Sequence, residues 1–180
     1  MGYAHSFKQF KEPTLEQWNE LTTAFKKVVE NLPAASETAG CYYPGWPINL
    51  QYEYDDPSPL QIDGEEIRFN GAWDYGHETF SVPRVPLDDD CSSMYCKTNR
   101  KPYDFAVCAA LILVEKFAPD CYEVSSDGHT GDWMPALKHL QVLLELPDLA
   151  LPRAIRSPEP GETNEAEKES RVVKNVPVWF

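Results

Sequence analysis

The sequence is short of basic residues and of paired cysteines, and it has no long apolar run. In 180 residues there are 16 Lys and Arg against 29 Asp and Glu, a formal charge of −13. A body that acidic repels a phosphate backbone and an anionic membrane surface over a screening length of about 10 Å, so direct nucleic-acid binding is disfavoured. The five cysteines are odd in number and none are spaced as CxxC. A zinc ribbon and a complete disulfide framework are therefore not expected. The longest apolar run, residues 105–114, is about half of the roughly 20 residues a membrane-spanning helix needs. Residues 1–12 are polar and carry no apolar core of a signal peptide. The expectation is a cytoplasmic protein with no membrane association. No Gly-x-Ser-x-Gly elbow, HExxH helix, P-loop or dinucleotide fingerprint occurs, and no cofactor is called for.

The length fits one domain, which usually holds about 100–200 residues. Thr14 and Gln17 have the spacing of a capping box, and Leu15, Trp18, Leu21, Phe25, Val28, Val29 and Leu32 recur at helical spacing up to Pro33. Residues 40–47 read as an aromatic loop with Tyr42, Tyr43 and Trp46. Alternation predicts strands over Asn49–Tyr54 and Glu78–Val82. Between them, Asp63-Gly64 reads as a two-residue hairpin turn that would set Leu60 opposite Ile67. Ile62, Ile67 and Phe69 would then share a face. Residues 83–101 read as a long loop carrying Asp88–Asp90. A helix over Tyr103–Phe117 is apolar nearly all round and should be central. Tyr122 and Val124 mark a short strand, and Asp132 can cap a third helix through Leu146 with Pro135 in its first turn. The expected fold is a single α+β domain: an antiparallel sheet of about four or five strands packed against three helices.

From Pro147 the composition changes. Residues 151–180 hold five Glu and five Lys or Arg, so the full −13 lies on residues 1–150. The division expected is a domain over 1–150, a flexible acidic linker over 151–171 and an apolar segment over 172–180. Val176, Val178, Trp179 and Phe180 make that end sticky. It would either return as an edge strand, on its own domain or on a second subunit of an oligomer, or dock on a partner.

Three loops hold the chemistry. The first, 70–79, gathers Asn70, Asp74, His77 and Glu78 beside Trp73 and Tyr75. His77 and Glu78 could act as general base and orienter, or Asn70 and Asp74 could simply satisfy backbone donors. The second, 96–104, holds Lys97, Arg100 and Lys101, the tight basic cluster of an acidic chain, followed by Tyr103 and Asp104. It precedes a helix, where backbone N–H groups favour an anion, or its cations could neutralise nearby carboxylates while Asp104 caps the helix. The third, 125–133, offers Asp127, His129 and Asp132 as metal ligands, or forms a tight turn ending in an N-cap.

Ile67-Arg-Phe-Asn-Gly71, Gly76-His-Glu-Thr-Phe80, Cys96-Lys-Thr-Asn-Arg-Lys-Pro-Tyr-Asp104 and Val124-Ser-Ser-Asp-Gly128 together resemble a family of small uncharacterised proteins of bacteriophages and bacterial genomes. The resemblance spans residues 65–146. It implies a viral or mobile-element origin, hence a host cytoplasm, and it implies no activity. Three functions are compatible with these residues. The leading one is a non-catalytic protein that engages a host protein or a small anionic ligand through the first two loops. The others are a hydrolase or metal enzyme built on His77 and Glu78, and an acidic decoy presenting carboxylates at phosphate-like spacing.

Overall fold

The computed structural model describes residues 3–34, 45–87 and 93–156. Most of the aromatic loop, Asp88–Asp90, residues 157–171 of the acidic linker and the Val176–Phe180 segment lie outside the described residues; residues 151–156, expected as the start of the linker, are described and bury Leu151 and Ile155. Among the described residues the chain is α+β, with three α-helices and two antiparallel sheets.

Strand β1, Ala4–Gln9, was not expected. It is the central strand of a three-stranded sheet, between β6 (Ser93–Lys97) and β7 (Tyr122–Ser126). Its inward positions are His5, Phe7 and Gln9, all buried. Two of those three are polar, so the alternation is invisible to a hydrophobic reading. Strand β6, inside the expected long loop, escaped for the opposite reason. It is an edge strand in which Cys96 is buried while Ser93 and Tyr95 face outward.

The second sheet is built on β4 (Glu66–Gly71), which pairs with β2 (Leu50–Gln51), β3 (Gln61–Ile62) and β5 (Phe80–Pro83). Ile62, not Leu60, lies opposite Ile67. The turn is shifted by one residue because Asp63 stands before its two central residues, not within them. The Asp63 carboxylate accepts the N–H groups of Glu65 and Glu66, the role Asp plays at the first position of a type I turn. The shared face of Ile62, Ile67 and Phe69 survives, since moving the pairing by two residues preserves the alternation.

Helix α1, Leu15–Glu30, starts at a complete Thr14–Gln17 capping box. It buries Trp18, Leu21, Phe25 and Val28, whereas Leu15 is 64% exposed and takes no part in the core. The Trp18 indole donates to the Asp63 carbonyl at 2.8 Å, tying this helix to the hairpin turn. Helix α2, Asp104–Phe117, is buried from Asp104 to Val114 and packs against both other helices, as its apolar circumference predicts. Helix α3, Thr130–Leu143, carries Pro135 in its second turn and buries Trp133, Ala136, Leu137 and Leu140. Its N-cap is His129, and Asp132 occupies the third helical position instead.

The two sheets are joined by aromatic packing and by polar ties. Phe7 of β1 meets Phe80 of β5, which meets Phe69 of β4, which stacks on Phe25 of α1. The Gln9 amide donates to the Arg84 carbonyl at 2.8 Å, and the Tyr122 hydroxyl donates to the Pro83 carbonyl at 3.0 Å. No helix among the described residues is long and apolar enough to cross a membrane.

Candidate functional site

All three chemically rich loops sit at one end of the three-stranded sheet. That end collects the start of β1, the ends of β6 and β7, and the N-termini of α2 and α3. Antiparallel pairing produces the convergence, because Ala4 is paired with Lys97, and His5 with both Cys96 and Ser126.

Loop 70–79 is held by Asn70, which is fully buried. Its amide nitrogen donates to the His77 carbonyl and to the Thr79 hydroxyl, and its amide oxygen accepts the N–H groups of Gly71 and His77. Asn70 therefore closes the loop and is not free for a ligand. Gly71 and Gly76 face each other so closely that a Cβ on either would collide with the other's backbone neighbourhood. The closed loop carries a short 3-10 turn, Trp73–Tyr75. Trp73 has φ 48° and is 65% exposed. An L-residue in the left-handed region costs of order 1–3 kcal/mol, and such residues cluster at functional positions.

Loop 97–101 is a turn closed by the Lys101 N–H on the Thr98 carbonyl at 3.0 Å. Asn99 and Arg100, its central residues, are both left-handed at φ 51° and 55°, the pattern of a type I′ turn. Arg100 is held there by Asp132, at 2.5 Å, and by the Tyr3 ring, 3.9 Å from its guanidinium carbon. Partial burial pushes the Asp132 carboxyl upward. The Arg100 hydrogen bond, the His129 N–H and the Arg100 charge outweigh it and hold the group below its ordinary range. Lys101 donates to the Asp74 carbonyl at 2.7 Å and lies 5.8 Å from the Trp46 ring, which packs edge-on against Tyr75. Arg100 and Lys101 thus staple their own loops, Arg100 with Asp132 as its carboxylate partner.

The first two loops interlock. The Glu78 carboxylate accepts the Lys97 N–H at 2.7 Å, and the Tyr103 hydroxyl donates to the Glu78 carbonyl at 2.7 Å. The Glu78 carboxylate is engaged in this tie, while the His77 side chain is exposed. In the third loop, exposed Asp127 accepts the Ala4 N–H at 3.1 Å. Asp132 is shared between Arg100 and the His129 N–H, and these contacts define a turn leading into a helix. The acidic residues expected of a decoy also serve local structure. Asp56 and Asp63 accept backbone N–H groups within turns, and Glu66 pairs with Arg68 and Ser81.

Beneath this rim lies a polar cluster that sequence reading missed. His5 Nε2 is 2.7 Å from Asp104 Oδ1, and His5 Nδ1 is 2.9 Å from Ser126 Oγ. The Thr98 hydroxyl donates to Asp104 Oδ1 at 2.5 Å. Asp104 is thus the first helical residue with its carboxylate turned inward, and Tyr103 stands at the cap. Cys108 Sγ is 3.9 Å from both His5 Nε2 and Asp104 Oδ2. Burial, then the Asp104 charge, pushes the Cys108 thiol well above its ordinary range. Burial also pushes the neighbouring Cys96 up to about 12, with Asp104 and Glu78 adding to it against the Tyr103 hydrogen bond. Neither thiol is an activated nucleophile. The one available signal was the separation of Asp104 and Cys108 by four residues, which puts both on one face of α2. His5 had no visible partner because the pairing depends on the unexpected β1.

Comparison of the chain with protein-family models, with curated proteins and with solved structures finds no match.

Proposed function

We propose that the protein is a non-catalytic binding protein that engages a partner protein through the rim made by loops 70–79 and 97–104. The carrying observation is Trp73, largely exposed and held in a left-handed conformation on a loop closed by buried Asn70. Tryptophan is among the residues that dominate interface energetics, and a rigidly presented one loses little entropy on binding. Half-exposed Trp46, Tyr75 and the Lys101 stem extend the same surface. Asn70, Glu78, Arg100 and Lys101 are spent on holding these loops in place, which favours a presenting surface over a reactive one. A small anion is the weaker reading, since Arg100 and Lys101 are already engaged by Asp132 and the Asp74 carbonyl. The setting proposed is the host cytoplasm of a bacteriophage or bacterial-genome protein, following the resemblance described above. The test is affinity capture from bacterial lysate with the full chain and with Trp73→Gly in parallel, then binding of the purified captured protein to each. A partner bound equally by both overturns the assignment to this rim.

A further inference from the structure

We propose that His5, Asp104 and Cys108 form a buried site for a single zinc ion, a conclusion that stands apart from the reading of the rim above it. Their candidate donor atoms all lie within 4.8 Å of one another, and all three residues are buried. Imidazole nitrogen, thiolate sulfur and carboxylate oxygen are the three donor types that zinc takes. Asp104 and Cys108 are one helical turn apart on α2, and His5 comes from the central strand of the facing sheet. The two Asp104 oxygens are turned to different partners, Oδ1 towards His5 and Oδ2 towards Cys108. One Asp104 oxygen with one nitrogen and one sulfur supplies three protein donors, and a water in the fourth position would complete the tetrahedron.

Zinc bonds of about 2.0 Å to nitrogen or oxygen and about 2.3 Å to sulfur place tetrahedral donors roughly 3.3–3.6 Å apart. The sulfur separations of 3.9 Å need only a slight contraction, and the 2.7 Å between His5 and Asp104 a modest opening.

The surroundings are those of a metal site. A ligating histidine donates through its other nitrogen to a fixed acceptor, and His5 Nδ1 faces Ser126 Oγ at 2.9 Å. A ligating carboxylate is itself hydrogen-bonded, and Thr98 donates to Asp104 at 2.5 Å. On binding, the Cys108 thiol gives up its proton to solvent, and His5 keeps one proton, on Nδ1, so that the Nε2 lone pair is free. One divalent cation with one thiolate, one carboxylate and a neutral imidazole carries no net charge, as a buried site requires. Such an ion would join β1 to the N-terminus of α2, with Ser126 of β7 and Thr98 of the basic loop in its outer shell. Two of the three loops, 96–104 and 125–133, would be anchored by it.

The test is cobalt substitution of the full chain after removal of bound metal with a chelator. Stoichiometric Co2+ is expected to give the intense visible bands of a tetrahedral ion and a near-ultraviolet thiolate-to-cobalt charge-transfer band. Equimolar Zn2+ should abolish both and raise the melting temperature of the metal-free chain. The charge-transfer band should vanish in Cys108→Ala and persist in Cys96→Ala and Cys121→Ala. A wild-type chain that shows no such band with stoichiometric Co2+ overturns the proposal. So does a band that survives in Cys108→Ala, since the thiolate ligand would then be another cysteine.

Discussion

The Glu78 carboxylate accepts the backbone N–H of Lys97 at 2.7 Å, while the Glu78 N–H donates to the Lys97 carbonyl at 3.3 Å. A residue two positions ahead of β5 is thereby stitched to the last residue of β6, which ties the two sheets together where the loops emerge. A hydrogen bond to a charged acceptor contributes about 1.5–3 kcal/mol. Glu78→Ala should lower the unfolding free energy by about that amount in urea denaturation, and Glu78→Gln should recover part of it. An unchanged midpoint in Glu78→Ala would show that the loops hold together without the tie.

Asn70 satisfies the N–H groups of Gly71 and His77 from a fully buried position. Asn70→Ala removes the amide and leaves donors without partners, at a cost of about 1–3 kcal/mol each. The expected result is a destabilised domain in which amides 71–79 exchange faster than those of α2. Uniform exchange across the domain would contradict a local clamp.

Cys96 should be inert in the folded chain. With its thiol pushed up to about 12 and the residue buried, the thiolate that reacts is scarce at neutral pH. Alkylation of the native chain should leave Cys96 unmodified, and addition of urea should expose it. Rapid labelling under native conditions would show that β6 opens readily.

Acid should weaken the chain in part through Asp132. Its folded value lies below the ordinary 3.8, so the unfolded chain binds the proton more tightly. The stability from the Arg100 pair is complete above 3.8 and is lost as pH falls through the folded value. Asp132→Asn should flatten the acid limb of the stability profile below 3.8 and leave its neutral shape unchanged. His139 acts in the same direction at higher pH. Burial, outweighing a hydrogen bond that its ring donates to the Asn31 backbone carbonyl, holds its imidazole below the ordinary 6.5, so stability falls as pH drops through that folded value.

The helices were largely legible in the sequence, and two of the seven described strands, β1 and β6, were not. Thr14 and Gln17 announced α1 because a capping box is local chemistry, and the apolar circumference of α2 required burial. Strand β1 was hidden because His5 and Gln9 occupy inward positions that a hydrophobic alternation leaves blank. The hairpin at Asp63 was found one residue out of place, since Asp-Gly serves both type I′ and type I turns and only the side-chain bonds of Asp63 distinguish them. The three loops were recognised singly from residue chemistry, but their meeting depends on pairings more than 90 residues apart in sequence, such as Ala4 with Lys97. The buried cluster depends on the same pairings, and no local pattern reveals a histidine in one strand facing a helix that begins 99 residues later.

The central claim is that Trp73 is strained in order to present its indole. Glycine adopts φ 48° without penalty. Trp73→Gly should therefore keep the folding free energy within about 1 kcal/mol of the parent or raise it, since little packing is lost. The decisive measurement is the affinity of that variant for the protein captured by the parent chain, taken beside its unfolding free energy. The account predicts intact stability with binding weakened by about 2 kcal/mol or more, roughly thirty-fold. Unchanged affinity in a stably folded variant would contradict it.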